Sequence, residues 1–507
     1  MMRKLLSLLL LLFSFLSLPA YSQADDTKGV DEVIGAIFTP ISDFATSIIF
    51  YPLFTIRGIE IPFILLWLIT GAIFFTFYLN FINIRGFPVA LNIVKGKYTH
   101  EGDPGEVTHF QALTTALSGT VGLGNIAGVA VAISMGGPGA TFWMILFGLF
   151  GMSSKFVECA LGVKFRDEHA DGTVSGGAMY YLRKGLAQQG WGRLGRFLGG
   201  LFAVLTFCAS FVGGNMFQVN QAAEQFISIT GGQNTFIGQH TWLFGVIMAA
   251  LVAIVIIGGI KSISRVTEKI VPFMCGIYLL AAMVVIISNI GQVPTAFAQI
   301  VEGAIGGNAL AGGLIGTLIV GMQRATFSNE AGIGSAAIAH SAVKTSEPVT
   351  EGFVGSLEPF VDTVIVCTMT ALVIVISGLY EGRTDGVSLT SDAFATVIDW
   401  FPYVLAIAVL LFAFSTMISW AYYGEIAWNY VFGESPILVI IYKVLFCLFI
   451  VVGASVGLEP LIGLSDGMMF SMAIPNIIGC YMLAPLVKKD MQSFMSRLRK
   501  GEIEVYK

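Results

Sequence analysis

Apolar residues along this chain come in long uninterrupted runs joined by short polar connections. They follow neither the alternation of a half-buried strand nor the narrow stripe of a surface helix. Eleven runs are expected to span a membrane, at about 61–82, 110–133, 140–163, 197–221, 242–260, 270–290, 308–342, 353–378, 400–424, 437–456 and 467–487. Only a helix satisfies its own backbone in lipid, and these runs are far longer than barrel strands. The fold class expected is therefore an all-α polytopic membrane protein. Composition agrees: of 507 residues 55% are hydrophobic and 12% charged, where soluble domains carry roughly 25% charged residues.

The first residues read differently. Arg3 and Lys4 precede an apolar run from Leu5 to Leu18, then Pro19, Ala20, Tyr21 and Ser22 follow. That run is short of the roughly 20 residues a span needs, and its anatomy predicts a signal peptide over 1–24, cleaved near Ser22 or Ala24, with an uncleaved anchor as the alternative. Residues 25–60 read as a periplasmic amphipathic segment. Basic residues set the orientation. Arg85, Lys95, Lys97, Lys164, Arg166, Arg183, Lys184, Arg193, Arg196, Lys261, Arg265, Lys269, Lys344 and the tail 488–507 fall on one side, against Lys28, Arg57 and Arg383 on the other. The crowded side is expected to be cytoplasmic, which places the mature N-terminus in the periplasm and the protein in a bacterial inner membrane.

Several classes of function are excluded. The formal net charge of −5 comes without a basic face, so nucleic acid is no partner. No GxxxxGK[ST] loop occurs, and GxSxG, matched at 453–457 and 463–467, is not set on the strand-to-helix elbow a hydrolase needs, so ATP-driven pumps and serine hydrolases have no support. Cys159, Cys208, Cys275, Cys367, Cys447 and Cys480 lie in apolar segments without CxxC pairing and read as packing residues. An organic cofactor, a metal other than sodium and an obligate protein partner have no support.

Two segments interrupt their helices with glycine and polar residues: Ser118-Gly119-Thr120-Val121-Gly122-Leu123-Gly124-Asn125-Ile126-Ala127-Gly128 and Thr326-Phe327-Ser328-Asn329-Glu330-Ala331-Gly332-Ile333-Gly334-Ser335. Gly costs about 1 kcal/mol relative to Ala in a helix interior and permits an unwound turn. Breaks are thus expected near Gly122 with Gly124 and near Gly332 with Gly334; close packing of small residues accounts for Gly124 and Gly128 equally well. Gly124-Asn125-Ile126-Ala127-Gly128 aligns with Ser328-Asn329-Glu330-Ala331-Gly332, and the two lie in the second and seventh runs with four runs between them, so the halves cross in opposite senses. The expected architecture is a pair of inverted repeats whose first helices are broken at mid-membrane. Helix interruptions at mid-membrane free amides for a carboxylate and carbonyls for a cation or an ammonium. A small zwitterion and Na+ satisfy both.

The chain also resembles the alanine or glycine:cation symporter family over nearly its whole length beyond the signal peptide. The resemblance rests on Gly122-Leu123-Gly124-Asn125-Ile126-Ala127-Gly128-Val129-Ala130, on Gly136-Gly137-Pro138-Gly139-Ala140 with Phe142-Trp143-Met144, Lys155-Phe156 and Glu158, on Phe327-Ser328-Asn329-Glu330-Ala331-Gly332 through Ala339-His340, and on Phe414-Ser415-Thr416 with Trp420 and Tyr422-Tyr423-Gly424-Glu425. The family is similar in fold to the leucine-transporter group, which implies two inverted five-helix repeats, here 110–290 and 308–487, and leaves 61–82 as an extra helix. It implies sodium-coupled uptake of alanine or glycine by alternating access, with the substrate carboxylate at the amides of Leu123 and Gly124 beside Asn125. The ammonium would face carbonyls near Thr326, Phe327 and Ser328, with Thr416 and Trp420 in the pocket. For sodium the resemblance implies the carbonyls of Ser118, Val121 and Phe412 with the hydroxyls of Ser415 and Thr416.

The remaining polar residues carry alternatives. Phe211, Asn215 and Gln218 recur at helical spacing and border the substrate or serve packing. Lys155 and Glu158 pair along one helix. Glu330 is a gate, a proton acceptor or a cap, and Arg324 its partner or a separate gate; Asp362 and Glu425 read as structural or gating charges, and His340 as a helix-terminal residue. Proton coupling through Glu330 or His340, and a passive channel or sensor on the same scaffold, are the competing functions.

Overall fold

The computed structural model describes residues 30–56, 58–100, 102–306, 313–382 and 386–506. The signal peptide, Lys28, Arg57, Arg383 and the first residues of the 308–342 run lie outside them. Most described residues are helical. Among them, seven helices are long and apolar enough to cross a membrane, or eight when His109–Thr120 and Leu123–Gly136, bent by 57°, count as one. Phe63–Tyr78 and Thr241–Ile256 are shorter apolar helices, and Gly313–Asn329 is followed across a break by Ala336–His340.

Each apolar run thus holds helix, but the polar connections are more helical than the sequence suggests. Lys261, Arg265 and Lys269 lie inside the Gly259–Ser288 helix rather than in a loop. The final helix, Ala473–Lys500, carries most of the tail because Met491 and Phe494 remain buried beside its exposed lysines and arginines, an amphipathic continuation of the span. Two small hairpins add to the all-α expectation: Pro52–Ile56 pairs with Ile59–Pro62, and Asp167–Glu168 with Val174–Ser175. The first falls in the predicted amphipathic segment, after the Val30–Ile49 helix. That helix lies along Leu458–Ser471, where Thr46 donates to the Gly463 carbonyl and Phe50 meets Phe470 edge to face.

Large apolar side chains cover the outside, among them Ile254, Ile257, Leu280, Ile437 and Ile440, as lipid-facing helix surfaces require. Polar residues concentrate inside. Asn125, Lys155, Glu158, Glu330, His340, Glu351, Glu358 and Asp362 are all buried, and every one sits on, or packs against, one of the two interrupted helices.

Candidate functional site

The first interruption begins with an orderly helix. Thr108 caps His109–Thr120 through a reciprocal pair of bonds with Gln111. The helix stops at Val121, Gly122 is extended, and a single tight turn, Leu123–Asn125, leads into Ala127–Gly136. Side chains replace the lost helical bonds. The Gly122 amide donates to Asn125 Oδ1 at 2.9 Å and the Leu123 amide to Gln218 Oε1 at 3.3 Å. Glycine is needed at 122 because a Cβ there would stand 2.6 Å from Thr416 Oγ1 and 3.2 Å from Gln218 Oε1.

The second interruption contains the expected glycines, Gly332 and Gly334, and opens after Asn329. Thr326, Phe327 and Ser328 are still helical, and the Thr326 carbonyl accepts from the Glu330 amide at 2.9 Å. Asn329 ends the helix here, because its Oδ1 takes the Ala331 amide at 2.9 Å in place of a helical carbonyl. That bond releases the Phe327 carbonyl from its helical donor. Glu330, Gly332 and Gly334 then all take positive φ, at 55°, 89° and 89°, so the non-glycine Glu330 holds a left-handed conformation that ordinarily costs about 1–2 kcal/mol. Its carboxylate compensates by accepting from Ser335 Oγ, and from Trp420 Nε1 at 3.1 Å.

The two interruptions meet. Gly124 lies against Phe327 and Ser328, and one carboxylate joins them: Asp362 accepts from Asn125 Nδ2 at 2.6 Å, Ser328 Oγ at 2.8 Å and Thr363 Oγ1 at 2.7 Å. Asp362 sits in a stretch of π-helix, Phe360–Cys367, directly after Pro359, whose missing N–H and ring disturb the normal ladder. Sequence reading placed Asp362 among structural or gating charges. The signal that would have raised it was its ionisable side chain in mid-span.

Another π-helical stretch, Val212–Met216, corrects the reading of the 192–230 helix. Its wider turn shifts the phase, so Phe211 and Gln218 no longer share a face. Phe211 stacks on Phe449 with ring centroids 4.8 Å apart, and Asn215 donates to the Phe446 carbonyl at 2.8 Å. Both face the Pro436–Gly453 helix instead of the interruptions. Gln218 does reach Leu123, and Phe217, which the spacing argument passed over, packs edge to face on Phe327 at 5.4 Å. Gly214 admits the Trp420 indole, where a Cβ would collide.

Along the other side of the first interruption runs a ladder of small oxygen donors. Thr416 Oγ1 donates to the Ser118 carbonyl at 2.9 Å, Ser118 Oγ to the Ser415 carbonyl at 2.5 Å, and Ser415 Oγ to the Phe412 carbonyl at 3.0 Å. Ser419, missed in the sequence, adds bonds to Thr115 O at 2.9 Å and Ser118 Oγ at 3.0 Å. Val121 caps the helix here, with its ψ of 88° turning the carbonyl out of the helical direction. Neutral oxygens in this number suit a hard monovalent cation and offer nothing to a soft metal.

Three pairings differ from expectation. Arg324 bonds to Asp466 on Leu458–Ser471, not to Glu330, with Gln323 donating to the same carboxylate at 2.7 Å. Lys155 pairs with Glu358 at 3.0 Å rather than with Glu158, which accepts from Asn476 at 2.7 Å. His340 is no simple helix terminus: its two ring nitrogens contact Glu351 at 2.8 Å and Glu358 at 2.5 Å. Glu425 pairs with Lys443 at 3.3 Å.

Comparison with known proteins places this geometry. Residues 53–507 match the model of the sodium:alanine symporter family. The sodium/alanine symporter AgcS of Methanococcus maripaludis is 41% identical over 446 residues, covering 87% of this chain and 96% of that protein. The amino-acid carrier protein AlsT of Bacillus subtilis is 35% identical, covering 89% and 94%, and the probable sodium/glutamine symporter GlnT of the same organism 33%, covering 87% and 89%. Among solved structures, MhsT in complex with L-phenylalanine superposes with a TM-score of 0.53 at 16% identity over 78% of this chain and 100% of that one, a likeness of fold, that of the leucine-transporter group. The chain belongs to the sodium:alanine symporter family and is an integral membrane transporter, not an enzyme.

Proposed function

We propose that this protein carries a small neutral amino acid, alanine or glycine, into the cell together with Na+ by alternating access. The observation that supports this most is the meeting of two interrupted helices around Asn125, Ser328 and Asp362, deep in the bundle. A substrate carboxylate would take the amides of Leu123 and Gly124, displacing Gln218, at the positive end of the following half-helix. The ammonium would take the carbonyls of Phe327 and Ser328 at the negative end of the other. Phe217, Phe327 and Trp420 would limit the side chain by bulk. Na+ would take the oxygens of Ser118, Val121, Phe412, Ser415 and Thr416.

The same reading assigns eleven spans in two inverted five-helix repeats preceded by one helix, an inner-membrane location, an outside N-terminus and a cytoplasmic C-terminus. The bond between Arg324 and Asp466 would be a gate, since it joins the outer half of one interrupted helix to the helix under the N-terminal segment. Proteoliposomes test the function directly. Labelled alanine or glycine should accumulate above equilibrium under an inward sodium gradient and stop when that gradient is collapsed. Accumulation driven equally by a proton gradient without Na+ would reject sodium coupling, and equilibration without accumulation would point to a channel.

A further inference from the structure

Five ionisable side chains form an unbroken buried chain that neither substrate nor sodium binding uses. His109 Nδ1 meets Glu351 Oε2 at 2.5 Å, Glu351 Oε1 meets His340 Nδ1 at 2.8 Å, His340 Nε2 meets Glu358 Oε1 at 2.5 Å, and Glu358 Oε2 meets Lys155 Nζ at 3.0 Å. His340, Glu351, Glu358 and Lys155 are wholly buried and His109 is 2% exposed. The ends of the chain lie in different surroundings. His109 lines a cavity of about 640 Å³ with Lys95, His100 and Tyr506, while Lys155 lies within electrostatic reach of Glu330 at the second interruption and of Glu158 on its own helix.

Proton counting makes the centre of this chain unusual. Each contact between a ring nitrogen and a carboxylate oxygen needs one proton between the two atoms, since two lone pairs would repel. His340 faces a carboxylate with both nitrogens, so it carries both protons and is an imidazolium. His109, which meets Glu351 through Nδ1 alone, satisfies its contact as a neutral ring. The charges then cancel, with Glu351 and Glu358 against His340 and Lys155, and removing one proton from His340 leaves an unbalanced negative charge out of reach of water. Cys159 also borders this point, its sulfur and the ligating atoms of His340 and Glu358 lying within 4.8 Å of one another. The ammonium already on Glu358 makes a proton, not a metal ion, the cation that fits. Tyr423 faces Glu358 and Glu330 from the Phe401–Phe432 helix.

We propose that Glu351, His340 and Glu358 form a proton-binding site, loaded from the cavity through His109, whose charge is transmitted by Lys155 to Glu330. The proton enters at His109, passes to Glu351 as His109 gives up its Nδ1 proton, and rests on His340; it leaves by the reverse route. Loss of that proton sets two carboxylates against a half-deprotonated ring, forcing apart the helices that carry them. The inference rests on the symport reading above.

Initial sodium-driven alanine uptake would be measured in proteoliposomes with membrane potential clamped, external pH held near 7 and pH on the cavity side raised from about 6 to about 9. Uptake by the native protein should fall at least about threefold. The pair His340→Gln with Glu351→Gln, which keeps the cluster neutral, should transport with a flat profile. A flat native profile, or an unchanged profile in the pair, overturns the proposal and leaves the chain a structural ion network. A second measurement needs no variant: adding Na+ and alanine to solubilised protein in weak buffer should change the bound protons by a measurable fraction per molecule, and no change refutes the site. Absence of sodium-dependent uptake at every pH would instead refute the symport reading.

Discussion

Gly122 is the residue on which the first interruption turns. Its missing side chain lets Thr416 and Gln218 approach the chain from opposite sides, and Thr416 in turn holds the Ser118 carbonyl. Gly122→Ala must push one of them away, and displacing a binding group by about 1 Å costs roughly a hundredfold in a well-ordered site. Uptake by this variant should fall at least about tenfold, with a raised sodium requirement read from initial rates against Na+ concentration; an unaltered sodium dependence would detach Thr416 from the ion. Asn125 has a different burden. It supports Gly122 with its oxygen and Asp362 with its nitrogen, so Asn125→Ala leaves a buried carboxylate short of a donor. A loss of about 1–3 kcal/mol is expected, seen as earlier thermal unfolding in detergent, whereas Asn234→Ala, at an exposed position, serves as the control.

At the scale of single elements, the π-helical stretch at 212–216 decides which residues of its helix meet the site. Phe217→Ala should admit bulkier amino acids in a competition assay, and Phe211→Ala should leave the order of preference as it was. The reverse result would restore regular phasing. This helix also shows where sequence reading ends. Apolar runs located helices, seven or eight of them long and apolar enough to cross a membrane among the described residues, and Gly with Asn in the midst of such runs located both interruptions, because glycine and a mid-membrane amide carry their physics locally. A surplus residue in one turn leaves no comparable mark, so the sequence left Phe211 and Asn215 between bordering the substrate and packing, and packing against Pro436–Gly453 is what they do. The exact residue at which the second helix ends was hidden for a similar reason, since the bond from Ala331 to Asn329 is a choice among several that asparagine permits. Partner choice was hidden as well: Lys155 has Glu158 three residues away, yet Glu358, remote in sequence, is the carboxylate it meets.

For the molecule as a whole, that long-range pair ties Gly139–Lys164 to the helix beginning at Pro348, while His340 and His109 bring in both interrupted helices. Lys155→Met strips Glu358 of its ammonium and should destabilise the fold by about 3–5 kcal/mol, and adding Glu358→Gln should recover much of that loss. Thermal unfolding of both variants decides it; equal midpoints for Lys155→Met and the native protein would mean that the pair contributes little. The wide turn at 360–367 borders this tied unit, packing on Gly139–Lys164, while that at 212–216 packs on Phe401–Phe432 and Pro436–Gly453. A backbone wrinkle of that kind can travel along its helix by exchanging one hydrogen bond at a time, so a segment can slip by a residue without melting. Excision of Val364 would iron out one wrinkle, and the expected outcome is a protein that still takes up its solute at one face of the membrane but no longer lets it go at the other.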